Sequence, residues 1–427
     1  MTADFLTEPA IHQEHPDFIQ KLRSQGLHAF KKYGFPTSRQ EDWRFTPLET
    51  LLETQFIPSA SGAIDLDIPE DFLLSDVYRI TLVDGELSPE LSDLPELPEQ
   101  LVLCTLSDAF TDHSELIQKY LHQLISPAEN GFTALNAAHL GAGLLIFLPA
   151  GLILDKPLHI LHLDGKGQEN TAVHLHHLLI LEDNASATVL MHHLGTSSQV
   201  HFTNVLTEIS AARESRLSIC KIQDSTDADY HISHTALHQA EDSEIQVFSV
   251  DIGARIVRND IRMHLNGKGS SGSISGVFVG RDRQIMDQHT HIHHNSPNGT
   301  SRELYKGILT DHARGVFNGL IYVAPDAQQT DSEQTNRNLL LAETARMNSN
   351  PQLEIHADDV RCSHGSSTGQ LDEDALFYLQ SRGIDRKRAL ALMIEGFAGE
   401  VLNDLPCSSL QAKMFSHITD RLALAKI

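Results

Sequence analysis

Cysteine is scarce in this chain: four among 427 residues, Cys104, Cys220, Cys362 and Cys407, with no CxxC pair. That spacing argues against a disulfide framework and points to a reducing, cytosolic compartment. Aromatic residues make up 6% and there is one tryptophan. Platforms on which a sugar would stack are therefore few, which weighs against a carbohydrate-active enzyme. Basic residues are outnumbered, giving a net charge of −25. A phosphate-binding surface needs the opposite sign, so nucleic acid is not an expected partner. The longest apolar run, about residues 141–154, contains Pro149 and falls short of the roughly 18–20 residues of a membrane span. Met1-Thr2-Ala3-Asp4-Phe5 has neither the basic nor the apolar part of a secretion signal, and none is expected. Nucleotide motifs are missing too. Gly267-Lys268 has Arg262 where a P-loop needs its first glycine, and Gly141-Ala142-Gly143 does not continue into a dinucleotide fingerprint. GxSxG, HExxH and EF-hand patterns are likewise missing.

What is present is an ordinary folded composition, 41% hydrophobic and 21% charged. The length calls for two or three domains or one elongated repeat body. Residues 1 to about 75 read as helical, with Phe18, Leu22 and Leu27 to Phe30 at helical spacing before Gly34 and Pro36. Tyr78 to Val83 reads as a strand closed by Asp84-Gly85, and residues 114–124 as a helix. From about residue 144 short β-rich runs recur between Asp, Asn, Gly and Ser. Five stretches resemble one another: 181–193, 207–221, 238–250, 265–279 and 309–323. Aligning Ser186, Ser215, Ser243 and Ser271 gives steps of 29, 28 and 28 residues; the next equivalent, Ala313, lies 42 further on, which predicts an insertion. Strands at this period without intervening helices predict a β-solenoid, with a β-sandwich as the rival. Beyond residue 365 the pattern is helical. Asp372 predicts a helix to Ser381, Asp385 caps a second, and a third spans about 408–426. The expected division is a helical and mixed region over 1–140, a β core over 141–365 and a helical region over 366–427.

The segment Asp358-Asp359-Val360-Arg361-Cys362-Ser363-His364-Gly365 is the most informative. Residues i and i+2 of a strand share a face, so Cys362 and His364 aim two soft donors at one point. Structural zinc and iron–sulfur sites usually take four donors. The pair is either ordinary or completed from elsewhere. Histidine is abundant, at 26. His289, His291, His293 and His294 are the densest group. His289, His291 and His293 would share a strand face and so offer three imidazoles to zinc or iron, but the group reads as a polar ladder outside a sheet, and His192-His193 and His174, His176 and His177 receive the same reading, neighbours alternating between core and solvent.

These residues resemble the SufB/SufD family of iron–sulfur cluster assembly scaffolds. The resemblance rests on residues 357–365, Gly369, Leu371-Asp372 and the run Phe377-Tyr378-Leu379-Gln380-Ser381-Arg382-Gly383-Ile384. It extends to Asn318-Gly319, Gln334-Thr335-Asn336-Arg337-Asn338-Leu339-Leu340, Ala134-Leu135-Asn136-Ala137, Leu148-Pro149-Ala150-Gly151 and Lys156-Pro157-Leu158. Glu41-Asp42-Trp43-Arg44-Phe45-Thr46 resembles the N-terminal motif of the SufD branch. The resemblance implies a right-handed parallel β-helix between helical ends. It implies a non-ATPase scaffold subunit that pairs with SufB through the β-helix edge and docks the ABC ATPase SufC; separately, the unpaired strand edges of a solenoid predict a homodimer when the chain is alone. A transient iron–sulfur cluster would be built at the partner interface by a SufB cysteine and His364, with Cys362 beside it, both candidate iron ligands. No ATP is bound by this chain, and flavin is left unspecified. Met393, Ile394, Phe397 and Val401 form an apolar stripe assigned to partner binding. A ligand-free adaptor remains the alternative.

Overall fold

The computed structural model describes residues 15–58, 68, 72–165, 170–197 and 199–423. Its centre is a parallel β-solenoid of two facing sheets. The first sheet runs Val102–Thr105, Leu144–Leu148, Thr171–Leu181, His201–Ala211, Tyr230–Gln239, Ile256–Leu265, Ile285–His294, Arg314–Val323 and Arg346–Ile355, with Ile57–Pro58 added beside Thr171–Leu181. The second runs Glu86–Leu87, Tyr78–Val83, Leu158–Leu163, Ser186–Leu194, Arg216–Asp224, Glu244–Asp251, Ser271–Gly280, Thr300–Leu309, Asp331–Leu340 and Arg361–Gln370. Successive strands alternate between the sheets, so every coil gives one strand to each.

The corners have a local cause. At the turn from first to second sheet every coil but the last places one residue in the left-handed region: Gly151, Asn184, Glu214, Asp242, Gly269, Asn298 and Gln329. Asn, Asp and Gly tolerate that conformation best. The backbone N–H of each donates to a carbonyl of the next coil, as Asn184 to Arg213, Asp242 to Lys268 and Gln329 to Asp359. The small and charged turn residues seen in the sequence are this ladder.

The register differs from the alignment predicted above. Ser186 pairs with Arg216, then Glu244, Ser271, Thr300, Asp331 and Arg361. Ser215 and Ser243 thus sit one place before the strand and match Ala185 and Ser270. They are turn residues, and each hydroxyl donates to the carbonyl three residues back. No insertion follows Ser271, because Thr300 is its neighbour. Ala313 belongs to the opposite corner, leading into Arg314–Val323.

Inside the solenoid, aliphatic side chains from both sheets form one continuous core, from Leu144 and Ile160 to Phe317 and Ile321. Both outer faces are covered as well. The N-terminal helix Asp17–Tyr33 packs on the helix Gly131–Ala138 over the first sheet. A side chain on Gly26 would meet Ala138 N and Ala134 O at 2.5 and 2.6 Å, so the two helices touch through backbone there. Trp43, Phe56 and Phe132 seal Phe202, Tyr230 and Ile256 of that face. Helices Arg386–Leu402 and Ser408–Ala423 cover Leu190, Ile222, Phe248, Val277 and Ile308 of the second sheet. The helix caps follow the sequence: Asp372 accepts from Asp374 and Ala375 N–H, and Asp385 from Arg388 N–H. The helix Ser114–Tyr120 ends four residues early, because His122 takes a left-handed conformation. The third C-terminal helix is described to Ala423; the expected remainder lies outside the described residues.

Candidate functional site

The strand Arg361–Gln370 is the last of the second sheet. It runs past residue 365, where the sequence pattern turns helical, because Asp372 starts the next helix. Cys362 packs against the solenoid core, and Ser366, of the same parity, donates across the lumen to Ser349 Oγ at 2.8 Å. Cys362, His364 and Ser366 therefore face inward at the open end of the solenoid. With no further coil above, His364 is exposed while Cys362 is half-buried. The pair expected to share a face does so.

Register places these two on columns of buried polar residues. His364 stands on Gln334, which stands on Glu303. Gln334 Nε2 donates to Glu303 Oε2 at 2.8 Å. Cys362 stands on Ser332, which stands on Ser301. The two serine hydroxyls are 2.6 Å apart, and His294 Nε2 is 2.9 Å from Ser301 Oγ. A hydrogen-bonded chain thus runs from beneath the thiol to a buried imidazole. Burial, then the nearby Asp331 charge, pushes the Cys362 thiol up from its ordinary value, which keeps it protonated and weakly nucleophilic at neutral pH. These supporting residues were not found from the sequence. Residue numbers one coil back would have located Gln334 and Ser332, had the register been right.

Burial pushes the Glu303 carboxyl up to about 7, against the hydrogen bond from Gln334. Its folded value lies above its unfolded one, so the folded state binds the extra proton, and stability is lost as pH rises from about 4.5 through 7. We expect Glu303→Gln to flatten that slope and to stabilise the protein at pH 8 by about 3 kcal/mol. Denaturant titrations at pH 5 and pH 8 check this; an unchanged pH 8 midpoint would contradict it.

The other histidines are placed differently from the ladder reading. His289 is buried, its Nε2 2.9 Å from Asp287 Oδ1, and His294 points into the lumen. His291 and His293 are half-buried, and burial lowers both, His293 to about 4. His174, His176, His177, His192 and His193 are all buried. Neighbours do alternate, but the alternation is between lumen and covered outer face, since N- and C-terminal segments lie where solvent was expected.

The apolar stripe is divided as well. Ile394 and Val401 are buried, and Ile394 belongs to the cluster on the second sheet; Met393 and Phe397 are half-buried. Lys306 Nζ reaches the Phe397 carbonyl at 2.8 Å and pairs with Glu400. The stripe mostly holds its own helix to the solenoid. Among the described residues the exposed large apolar side chains of the C-terminal helical region are Phe377 and Tyr378, 72% and 56% accessible. Among the described residues no helix is long and apolar enough to cross a membrane.

Comparison with known proteins agrees with this geometry. Residues 163–397 match the model of the SUF system FeS cluster assembly SufBD core domain, and residues 6–160 that of the SufBD protein N-terminal region. The iron–sulfur cluster assembly protein SufD of Escherichia coli is 34% identical, over 93% of this chain and 92% of its own. A SufBD family iron–sulfur cluster assembly protein of Synechocystis is 31% identical over 96% and 97%. SufD of Bacillus subtilis is 27% identical over 95% and 94%. The chain belongs to the SufBD family of iron–sulfur cluster assembly proteins and is SufD-like.

Proposed function

We propose that this chain is a non-enzymatic scaffold subunit that pairs with a SufB-like chain, docks a SufC-like ATPase and presents His364, with Cys362 beside it, where the nascent cluster is built. The observation that carries the reading is the end of the solenoid. Strands Arg346–Ile355 and Arg361–Gln370 each terminate a sheet; Pro351 interrupts the outer edge of the first, that of Arg361–Gln370 is free, and the exposed imidazole sits between the two strands. The sequence Arg361 to Gln370 has no proline and a single charge at neutral histidine. Natural sheets usually block such an edge. An unblocked edge beside a metal-type donor fits a seam to a homologous chain that supplies the missing ligands. The cluster is cargo of that seam, held only while it is assembled.

The edge is tested by proline. Arg361 N–H donates inward to Thr330 O, and in a parallel strand alternate residues face the two neighbours. Ser366 N–H therefore faces the free edge. Ser366→Pro is expected to keep the fold and abolish pairing with the SufB-like chain, measured by light scattering, with the same loss for the homodimer. Pairing of the folded variant at wild-type affinity would sink the seam. ATPase docking is assigned to the exposed Phe377 and Tyr378, and the double alanine variant tests it in the same co-purification. Truncating the helices is a poorer test, because it strips the apolar cover from Phe248, Val277 and Ile308.

A further inference from the structure

A second cluster of donors lies far from the solenoid end, on the outer face of the first sheet beneath the loop after Ser114–Tyr120. His176 and Glu208 project from adjacent strands, with His176 Nε2 2.9 Å from Glu208 Oε2. Both side chains are 1% exposed. His122 descends from the loop, its ring 4.7 Å from that of His176 and nearly perpendicular to it. One donor atom from each of the three residues lies within 4.8 Å of the others. Leu124, Ile125, Leu206 and Ala236 wall the cluster with aliphatic surface.

The tautomer of His122 is fixed by its neighbour. Its Nδ1 is 3.0 Å from the Ile125 carbonyl, which only accepts, so Nδ1 carries the proton. Nε2 is then a bare lone pair, and it is buried with no hydrogen-bond partner among the described residues. A ring N–H held by a carbonyl while the other nitrogen is left free is the usual arrangement of a metal-ligating histidine. Glu208 is equally prepared. It accepts the N–H groups of His122 and Leu124 at 2.6 Å and of Ile125 at 3.1 Å.

We propose that His122, His176 and Glu208 bind one divalent transition-metal ion of the zinc or iron(II) type, pinning loop 121–125 to the first sheet. Two imidazoles and a carboxylate are a donor set both ions accept, with positions left for water. A bound ion would take His176 Nε2, and the ring proton would then sit on Nδ1, which has no other hydrogen-bond partner among the described residues. The inference is independent of the assembly role.

The test uses the full chain stripped with chelator and titrated with Co²⁺, then Zn²⁺. One equivalent is expected to bind with an imidazole and oxygen spectrum, free of thiolate charge transfer. His122→Gln is expected to weaken binding at least tenfold, and the Cys362→Ser/His364→Ala double variant to leave it unchanged. Hydrogen exchange of the wild-type chain supplies a readout that needs no variant: Zn²⁺ should slow exchange in residues 121–125. No stoichiometric binding, thiolate bands, or protection confined to residues 361–366 would each overturn the proposal.

Discussion

Arg258→Met is expected to destabilise the protein by about 3–5 kcal/mol at pH 7, the usual cost of removing one partner from a buried ion cluster. Arg258 projects from the outer face of Ile256–Leu265 and is 3% exposed. Its Nε donates to Asp260 Oδ2 at 2.9 Å and its Nη1 to Asp287 Oδ2 at 2.8 Å. The Trp43 ring lies 4.1 Å from the guanidinium, Nη1 also reaches the Asp42 carbonyl, and Thr46 Oγ1 donates to Asp287. Residues 41–46, the motif typical of the SufD branch, are thus a clamp over this cluster. Burial opposes charge in all three groups. Asp260 and Asp287 nevertheless hold Arg258 above its ordinary value, and Arg258 holds both carboxyls below theirs.

Methionine keeps the bulk and leaves two buried carboxylates without their guanidinium, with His289 and Thr46 left against Asp287 and His234 beside Asp260. With folded values below the unfolded ones, those carboxylates contribute stability above about pH 4 that is lost as pH falls. In the variant they no longer do, so its deficit relative to wild type should be full from neutral pH down to about pH 4 and shrink only below it. Trp43 is the only tryptophan, so its fluorescence reports release of the clamp directly. A deficit under 1 kcal/mol at pH 7, or one that grows toward acid, would contradict this account.

The second large effect is functional and leaves stability alone. His364→Ala removes an exposed side chain from the open end, and substitutions of that kind usually shift stability by under about 0.5 kcal/mol. In a strain dependent on this system, cluster formation is expected to fall at least tenfold, scored by growth and iron–sulfur enzyme activity. Cys362→Ser should be milder, since that thiol is held up by burial and by Asp331. Cys104 is raised by burial to about 11 and Cys220 is raised further, so serine there should not affect assembly chemistry; Cys407→Ser is expected to be silent too. His291→Ala and His293→Ala are the controls. If they fail while His364→Ala complements, the site lies on Ile285–His294 instead.

Period-2 spacing made the shared face of Cys362 and His364 legible, and Asp372 and Asp385 announced their helices through short-range capping. The β-solenoid was legible because each turn needs a residue tolerant of the left-handed region, and such residues recur. Register was misread because Ser215 and Ser243 bond back into the turn, so hydroxyls that look like strand starts belong to the corner. The buried histidines were misread for a long-range reason. Phe72 covers His192 and is itself backed by His417, and what covers His176 is His122. Local pattern carries no trace of such distant cover. Ile394 and Val401 were assigned outward for the same reason, since an apolar stripe does not say whose surface it meets.

The most direct measurement is the iron and acid-labile sulfide content of the complex co-purified with SufB-like and SufC-like partners under anaerobic conditions, wild type beside His364→Ala. The expected result is an intact complex in both, with iron and sulfide present in the wild type and at least tenfold lower in the variant. Equal iron and sulfide in the two intact complexes would contradict the claim that this chain supplies a ligand to the cluster, and would leave it an adaptor.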